Sequence, residues 1–194
     1  MITKKTKPMK KIINILLTGI GAPGTWGTLL CLQQLKDYNI TLNIVGTDIN
    51  DNPVGKYWTH KFYQIPNPES STYLSKFLNI VKNETIDIII PQTTRELFIL
   101  SKEKDIIEKT GARLLCSDFN SILRANDKYE VLNACNNIGL PTPKFTRIDS
   151  INNFNDLLKS FGYPKKNVVI KPTISNGMRG VRVLTETIDA FELY

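Results

Sequence analysis

The alternation of short apolar runs with segments of helical periodicity constrains the fold most. An apolar run at residues 12–18 ends at Gly19, and the segment that follows carries four leucines at helical spacing. Further apolar runs lie at 42–45 and 86–90, and the second is almost uninterrupted, as in a parallel strand covered on both faces. Alternating strands and helices with short connections predict an α/β fold with a doubly wound, Rossmann-like parallel sheet.

The remaining elements of this first part continue the alternation. Residues 49–68 are rich in Asn, Asp and Pro, and we predict one long loop there, a kind of segment that is usually functional. The predicted helices are 26–35, 70–81, 95–109 and 118–125, with a further strand at 113–116.

A second part of the chain begins near Asn126, where the composition changes. Because the last predicted helix has no visible end before Tyr194, we expect a truncated chain or the front part of a split gene. The predicted elements are helices at 127–137, 153–161 and 189–194, and strands near Phe145, at 168–171 and at 181–184.

Charge and cysteine content argue against several functions. The net charge is +7, but five of the lysines lie in residues 1–11, which we predict to be a basic disordered tail rather than part of a nucleic-acid groove. No apolar stretch reaches the ~20 residues that span a bilayer. Three cysteines without close pairing suit reduced thiols. We therefore expect a cytoplasmic protein that binds neither nucleic acid nor membrane.

The sequence Gly-Ile-Gly-Ala-Pro-Gly at residues 19–24 lies between a predicted strand and a predicted helix. Glycines allow a tight turn close to a ligand, and a helix N-terminus attracts an anion. Asp48, at the tip of the next strand, suits a ribose hydroxyl of a nicotinamide cofactor. One interpretation is an NAD(P)-dependent oxidoreductase, and the other is the tight first turn that any parallel α/β sheet requires.

A lysine stands at the end of the apolar run Val-Val-Ile-Lys-Pro at residues 168–172, and a loop of mainly small residues follows up to Gly180. The Lys171 ammonium would supply a point charge and the loop would supply backbone N–H donors, an arrangement that holds phosphates. The lysine precedes the loop, so this is not a Walker motif. A plain hairpin with basic surface residues is the alternative interpretation.

Three features in order resemble the ATP-grasp superfamily: Lys128 in an Asn-Asp-Lys helix start, Gly-Leu-Pro at 139–141, and the loop at 171–180. They look like the ATP-binding lobe of biotin carboxylase and of the carbamoyl-phosphate synthase large subunit. Residues 12–117 are similar to the pre-ATP-grasp domain, and residues 118–194 to the N-terminal part of the ATP-grasp domain. The resemblance covers nearly the whole chain.

This resemblance implies a site and a chemistry. In the family the lysines matching Lys128 and Lys171 contact the ATP phosphates, and a loop covers the β- and γ-phosphates. ATP then converts a carboxylate to an acyl phosphate, which an amine or another nucleophile attacks. Gly177, Arg179 and Gly180 match the phosphate loop. Gly21, Asp48 and Glu96, near the carboxyl ends of predicted strands, are the candidates for the second substrate's site. For Asp48 and Glu96 the alternative is a solvated acid or a helix N-terminal charge.

The resemblance also implies Mg²⁺, but its acidic and Asn ligands belong to a second lobe with no counterpart before Tyr194. We therefore expect no metal ligand in this chain, and no turnover by it alone, although the full-length parent would be an ATP-dependent ligase. The expected partners are ATP, a small carboxylate, and a second copy or another chain that supplies the second lobe. A non-catalytic nucleotide-binding module remains an alternative beside the oxidoreductase.

Overall fold

The computed structural model describes residues 11–38, 40–175 and 177–185. The chain divides into two compact units, Met1–Ile122 and Leu123–Tyr194. Residues 1–10 of the predicted tail and the whole predicted helix at 189–194 lie outside the described residues.

A parallel five-stranded sheet forms the first unit, with the strand order β3-β2-β1-β4-β5. The central strand β1 pairs with β2 on one side and β4 on the other, so that Leu16 lies opposite both Val45 and Ile89. The predicted Rossmann-like parallel sheet is confirmed. The strands are β1 Lys11–Leu17, β2 Ile40–Asp48, β3 Lys61–Gln64, β4 Ile88–Ile90 and β5 Arg113–Leu114.

Helices cover both faces of this sheet. The side chains of successive residues in a strand point to opposite faces, and β1 places Leu16 in one buried cluster and Ile15 and Leu17 in the other. Leu29 of the first helix belongs to the second cluster, and Phe77 of the second helix belongs to the first. The helices of this unit are α1 Thr25–Gln33, α2 Tyr73–Asn83, α3 Thr94–Lys102 and α4 Lys104–Glu108. The helix α5 Phe119–Asn126 begins in the first unit and ends in the second.

Two predictions for this unit were wrong in detail. The predicted loop at 49–68 contains a 3₁₀ helix, Val54–Trp58, and the edge strand β3. An edge strand of four residues with the sequence Lys-Phe-Tyr-Gln needs no long apolar run, so hydropathy did not reveal it. The single helix predicted at 95–109 is two helices that meet at Glu103, where φ is −99° and ψ is 16°.

The second unit contains α6 Lys128–Asn137, α7 Phe154–Ser160 and an antiparallel hairpin of β6 Val168–Ile170 and β7 Arg182–Leu184. Its buried cluster consists of Phe154, Leu158 and Leu184. The strand predicted near Phe145 does not form. Two nearby prolines lack the backbone N–H that a strand ladder requires.

Candidate nucleotide-binding site

The helix α6 begins at a side-chain cap that places Lys128. The Asp127 carboxylate accepts hydrogen bonds from the backbone N–H groups of Tyr129 at 2.8 Å and Glu130 at 3.3 Å. These are two of the donors that a helix N-terminus leaves without a partner in the helix. The backbone N–H of Lys128 is a third, and it donates to the Thr173 carbonyl at 2.9 Å. The Asn-Asp-Lys pattern thus marks the start of a helix that the Asp127 side chain caps.

The side chain of Lys128 contacts the same loop. Its ammonium donates to the Ser175 carbonyl at 2.9 Å, to Ser175 Oγ at 3.1 Å and to the Thr173 carbonyl at 3.4 Å. A lysine ammonium has three N–H donors, so these three oxygens match its full capacity. Lys128 is half-buried. Sequence reasoning did not identify Ser175, because the two residues are 47 positions apart.

One groove of about 820 Å³ brings Lys128 together with Lys171 and Gly180. Lys171 follows directly on β6 and is exposed. Gly177 and Arg179 are exposed in the same loop but do not line this groove. The two lysines that resemblance assigned to the phosphates therefore share a groove within one unit.

The loop after β6 adopts left-handed backbone at three described positions. The φ angles are +62° at Gly177, +60° at Met178 and +73° at Gly180. A β-carbon at Gly180 would lie 2.7 Å from Cγ of Pro172, so glycine is required there for space as well as for φ. Met178 adopts this conformation although it carries a side chain, which costs about 1–2 kcal/mol.

Aromatic side chains near basic ones line another part of the groove. The Lys144 ammonium lies 4.7 Å from the ring centre of Phe161, and the Arg147 guanidinium lies 5.8 Å from that of Tyr129. The Tyr129 ring also packs edge-on against Phe145. Sequence reasoning did not identify these aromatic and basic residues of the groove. Their only signal was the spacing of basic and aromatic residues in Lys-Phe-Thr-Arg at 144–147.

In the first unit, the glycine turn is joined to the tip of β2. The backbone N–H of Gly21 donates to Asp48 Oδ2 at 2.7 Å, and the N–H of Asn50 donates to Asp48 Oδ1 at 2.9 Å. Asp48 is buried. Its two carboxylate oxygens therefore hold backbone within the protein, and the structure brings the predicted residues Gly21 and Asp48 into direct contact.

The segment after β2 packs over the same turn. A β-carbon at Gly55 would lie 2.3 Å from the Ile20 carbonyl oxygen, and one at Gly21 would lie 3.3 Å from Cβ of Pro53. A dinucleotide site needs an open backbone at this turn for the pyrophosphate. Because Asp48 binds the N–H of Gly21 and Pro53 lies against it, the geometry disfavours the oxidoreductase interpretation.

The third predicted residue of this unit, Glu96, is buried among hydroxyl groups. Its carboxylate accepts hydrogen bonds from Thr18 Oγ1 and Thr93 Oγ1, both at 2.7 Å, and from the Tyr73 hydroxyl at 3.0 Å. Burial raises the pKa of Glu96 above its usual value, although the three hydrogen bonds oppose the rise. Burial likewise raises the pKa of Tyr73, which therefore stays a donor. The sequence carried no sign of Tyr73.

The oxygens beside Lys128 are neutral carbonyl and hydroxyl groups, whereas magnesium prefers carboxylates and phosphates. Among residues 11–38, 40–175 and 177–185, no three His, Cys, Asp or Glu side chains form a metal ligand set.

No described helix is long and apolar enough to cross a membrane.

Comparisons with known proteins agree with this architecture. The chain is 28% identical over 115 residues to the carbamoyl phosphate synthase large chain of Rubrobacter xylanophilus. The matched segment covers 57% of this chain and 10% of that protein. The chain is 26% identical over 137 residues to the alanine–anticapsin ligase of Bacillus subtilis, covering 71% of this chain and 27% of the ligase. The chain thus spans about a tenth to a quarter of the length of these relatives.

A solved structure shows the same fold. The biotin carboxylase of Campylobacter jejuni, solved as a β,γ-ATP complex, superposes with a TM-score of 0.63 at 17% identity, over 88% of this chain and 38% of that one. The profile of the PylC-like N-terminal domain family matches residues 15–115. The chain has the fold of ATP-grasp carboxylases and ligases, as its sequence resemblance indicated, and it belongs to the PylC-like N-terminal domain family.

Proposed function

We propose that the second unit binds ATP and belongs to a carboxylate ligase of the ATP-grasp type. One observation carries this proposal: Lys128 and Lys171 line the same groove, beside a loop in which Gly177 and Gly180 have left-handed backbone. The ATP complex of the C. jejuni biotin carboxylase, which shares this fold, supports it. The proposed ligand is a nucleoside triphosphate with its phosphates at the two lysines.

The chemistry of these groups suits phosphate. Each lysine supplies a compact positive charge, and Arg179 adds a planar donor fork that can bind a phosphate with two hydrogen bonds. Successive residues that combine right- and left-handed backbone turn their N–H groups toward one side, which creates a concave anion site. Gly177 and Gly180 have the left-handed backbone that such a site contains. Phosphoryl transfer depends on such positioning and charge neutralisation.

For the whole protein we propose that ATP activates a small carboxylate as an acyl phosphate, which an amine or another nucleophile attacks. Magnesium, bound with the nucleotide by ligands elsewhere, would neutralise phosphate charge. We place the carboxylate near the carboxyl edge of the first sheet, where ligands of open α/β sheets bind. Gly21, Asp48 and Glu96 make hydrogen bonds within the protein. We therefore propose that these residues determine the shape of this edge of the sheet.

Assembly and location are part of the same proposal. We propose that the magnesium-binding lobe comes from a longer form of this chain, from a second copy or from another chain. Cys31, Cys116 and Cys135 are all free thiols, and Cys31 is exposed. Free thiols suit a reducing compartment, and we propose the cytoplasm.

Binding of MgATP to the purified chain, measured by calorimetry, tests the nucleotide site. We expect Lys128→Met and Lys171→Met each to weaken binding roughly ten-fold or more, because each removes charged hydrogen bonds to phosphate. Lys165→Met is the matched control, since Lys165 is an exposed lysine of the same unit outside the groove. Absence of binding, or equal loss in all three variants, would overturn the proposal.

A hydrolysis assay tests the expectation that residues 1–194 do not turn over alone. We expect no phosphate release from MgATP above that of the Lys171→Met variant, because no described metal ligand set accompanies the lysines. Phosphate release that disappears in Lys171→Met would show instead that the chain is catalytically sufficient.

A further inference from the structure

The helix α1 has apolar side chains on both of its sides. Leu29 is buried against the sheet, whereas Trp26 and Leu30, one turn apart, are 46% and 42% exposed. No residue of α1 is charged, and each of the other α-helices that the structure describes contains at least one charged residue. A helix that is apolar all round is usually buried. The outer face of α1 therefore has the character of a covered surface.

A second segment extends this apolar surface. The ring centre of Trp58 lies 4.8 Å from that of Trp26, and Trp58 is itself exposed. Val54 and Tyr57 belong to the same 3₁₀ helix as Trp58 and are also exposed. Trp and Tyr are enriched among the residues that contribute most binding energy to protein interfaces. We call Trp26, Leu30, Val54, Tyr57 and Trp58 the α1 face.

Gly27 indicates that a second backbone approaches α1 closely. This residue is exposed inside the helix, where glycine is less stabilising than alanine. No atom lies within 4 Å of the position that a β-carbon at Gly27 would take, so packing within the chain does not require glycine there. The distance between two packed helices depends on the side chains at their contact. A residue without a side chain lets a second helix come close at that point.

We propose that a second copy of this chain covers the α1 face, with the two α1 helices crossing at Gly27 about a two-fold axis. In such a pair the same residues contribute from both copies, so each copy must present a surface that complements itself. The α1 face contains no charged side chain, and it therefore meets its own copy without repulsion. The proposal concerns the first unit and does not depend on the nucleotide site in the second.

The area of the α1 face suits a dimer that dissociates on dilution. Its five residues expose roughly 500 Å² in each copy, since one aromatic side chain alone can bury about 150–250 Å². A pair would bury roughly 1,000 Å², which is near the lower limit for a specific interface. Exposed apolar patches of this size on a single chain often mark interaction sites.

Sedimentation equilibrium of the full chain tests for the dimer. The buffer is reducing, so that the exposed thiol of Cys31 cannot form a disulfide between copies. We expect the mass to rise from 22.0 kDa toward twice that value as the concentration increases to about 100 μM. A mass that stays at 22.0 kDa over this range would overturn the proposal, and the α1 face would then belong to a different partner.

A charged substitution locates the interface. We expect Leu30→Glu to weaken the dimer by about thirty-fold or more, because it places two like charges in an apolar contact. Ile106→Glu is the matched control, since Ile106 of α4 is 46% exposed in the same unit but lies outside the α1 face. Equal weakening by both variants, or none by Leu30→Glu, would show that the dimer uses another surface.

Gly27→Gln separates association from folding. Glutamine is a better helix former than glycine, and the β-carbon position is open, so the thermal unfolding temperature of the monomer should not fall. The long side chain keeps a second helix away, and we expect the dimer to weaken by about ten-fold or more. A dimer as stable as that of the wild type would refute the crossing at Gly27.

An equimolar mixture of Leu30→Lys and Leu30→Glu tests the symmetry. Leu30 lies within one turn of Gly27, so the two copies of residue 30 are near the axis. Each variant alone repels its own copy, whereas the mixture brings opposite charges together and should recover the dimer. A mixture that stays monomeric would refute the packing of α1 against itself. Circular dichroism of each variant confirms that it is folded.

Discussion

Asp48 Oδ2 accepts the backbone N–H of Gly21 at 2.7 Å, so the carboxylate at the tip of β2 closes the glycine turn that follows β1. The same two residues define the dinucleotide interpretation of the sequence, in which Gly21 would face a pyrophosphate and Asp48 a ribose. Here each satisfies the other. In this structure the two residues of that motif join the carboxyl ends of adjacent parallel strands through a hydrogen bond.

We predict that Asp48→Asn lowers the free energy of unfolding by about 1–3 kcal/mol, because an amide has one acceptor oxygen for the two N–H groups that Asp48 binds. Urea denaturation measures this loss. The control is Asp51→Asn, which removes the same charge from an exposed position in the same segment. Equal stability of the two variants would show that the carboxylate does not hold the turn.

Glu96 should make stability depend on pH. Burial raises the pKa of Glu96 in the folded protein above the usual 4.5. At a pH between these two pKa values, the folded state therefore keeps a proton that the unfolded state has released. The free energy of unfolding therefore falls as the pH rises from about 4.5 through the raised pKa.

The Glu96→Gln variant tests this pH dependence, because glutamine carries no titrating proton. Denaturation of both proteins in a series of buffers from about pH 4.5 upward should show the wild type losing stability relative to Glu96→Gln. Glu69→Gln, at an exposed site in the same unit, serves as the control. Parallel curves for wild type and Glu96→Gln would contradict the prediction.

Tyr73→Phe should destabilise the first unit by about 1–3 kcal/mol at neutral pH, since it deletes one of three hydroxyls that donate to the buried Glu96 carboxylate. Chemical denaturation provides the measurement. In the control, Tyr57→Phe, the lost hydroxyl donates to Asn52 Oδ1 from an exposed ring, and the cost should stay below about 1 kcal/mol. A Tyr73→Phe variant as stable as this control would rule out the role of the hydroxyl.

Gly19→Ala should cost about 2–3 kcal/mol or more, because φ is +56° and a β-carbon would lie 2.3 Å from Cγ2 of Thr93. Gly24→Ala, in the same motif, should cost below about 1 kcal/mol, since φ is −75° and no atom lies within 4 Å of its β-carbon position. Thermal unfolding separates the two variants. If Gly24→Ala proves the more costly, the first glycine is not the one that the turn requires.

In the phosphate loop, Gly177 and Gly180 offer a similar comparison. Both have left-handed backbone, but only Gly180 would bring a β-carbon against Pro172. We predict that Gly177→Ala weakens MgATP binding by roughly thirty-fold at most, which corresponds to the cost of about 1–2 kcal/mol for left-handed alanine, and that Gly180→Ala weakens it further. Calorimetry on both variants measures the difference. Equal affinities would show that the contact with Pro172 does not shape the loop.

Local pattern was sufficient for much of the architecture. The apolar runs around Leu16, Val45 and Ile89 are central strands, and such runs show in any sequence because both of their faces are buried. The edge strand β3 escaped prediction because an edge strand carries polar residues. The strand predicted near Phe145 was wrong because hydropathy does not register the N–H groups missing from Pro141 and Pro143.

By itself, the sequence determined the alternation of strands and helices, the positions of the glycine turn and the two lysines, and the family resemblance, because these depend on residue type and spacing along the chain. Only the tertiary structure decided which groups bind each other. Thr18 and Glu96 are 78 positions apart, and Lys128 and Ser175 are 47 apart. Contacts over such separations depend on the order of strands in the sheet and on the path of the loop, which no local pattern records.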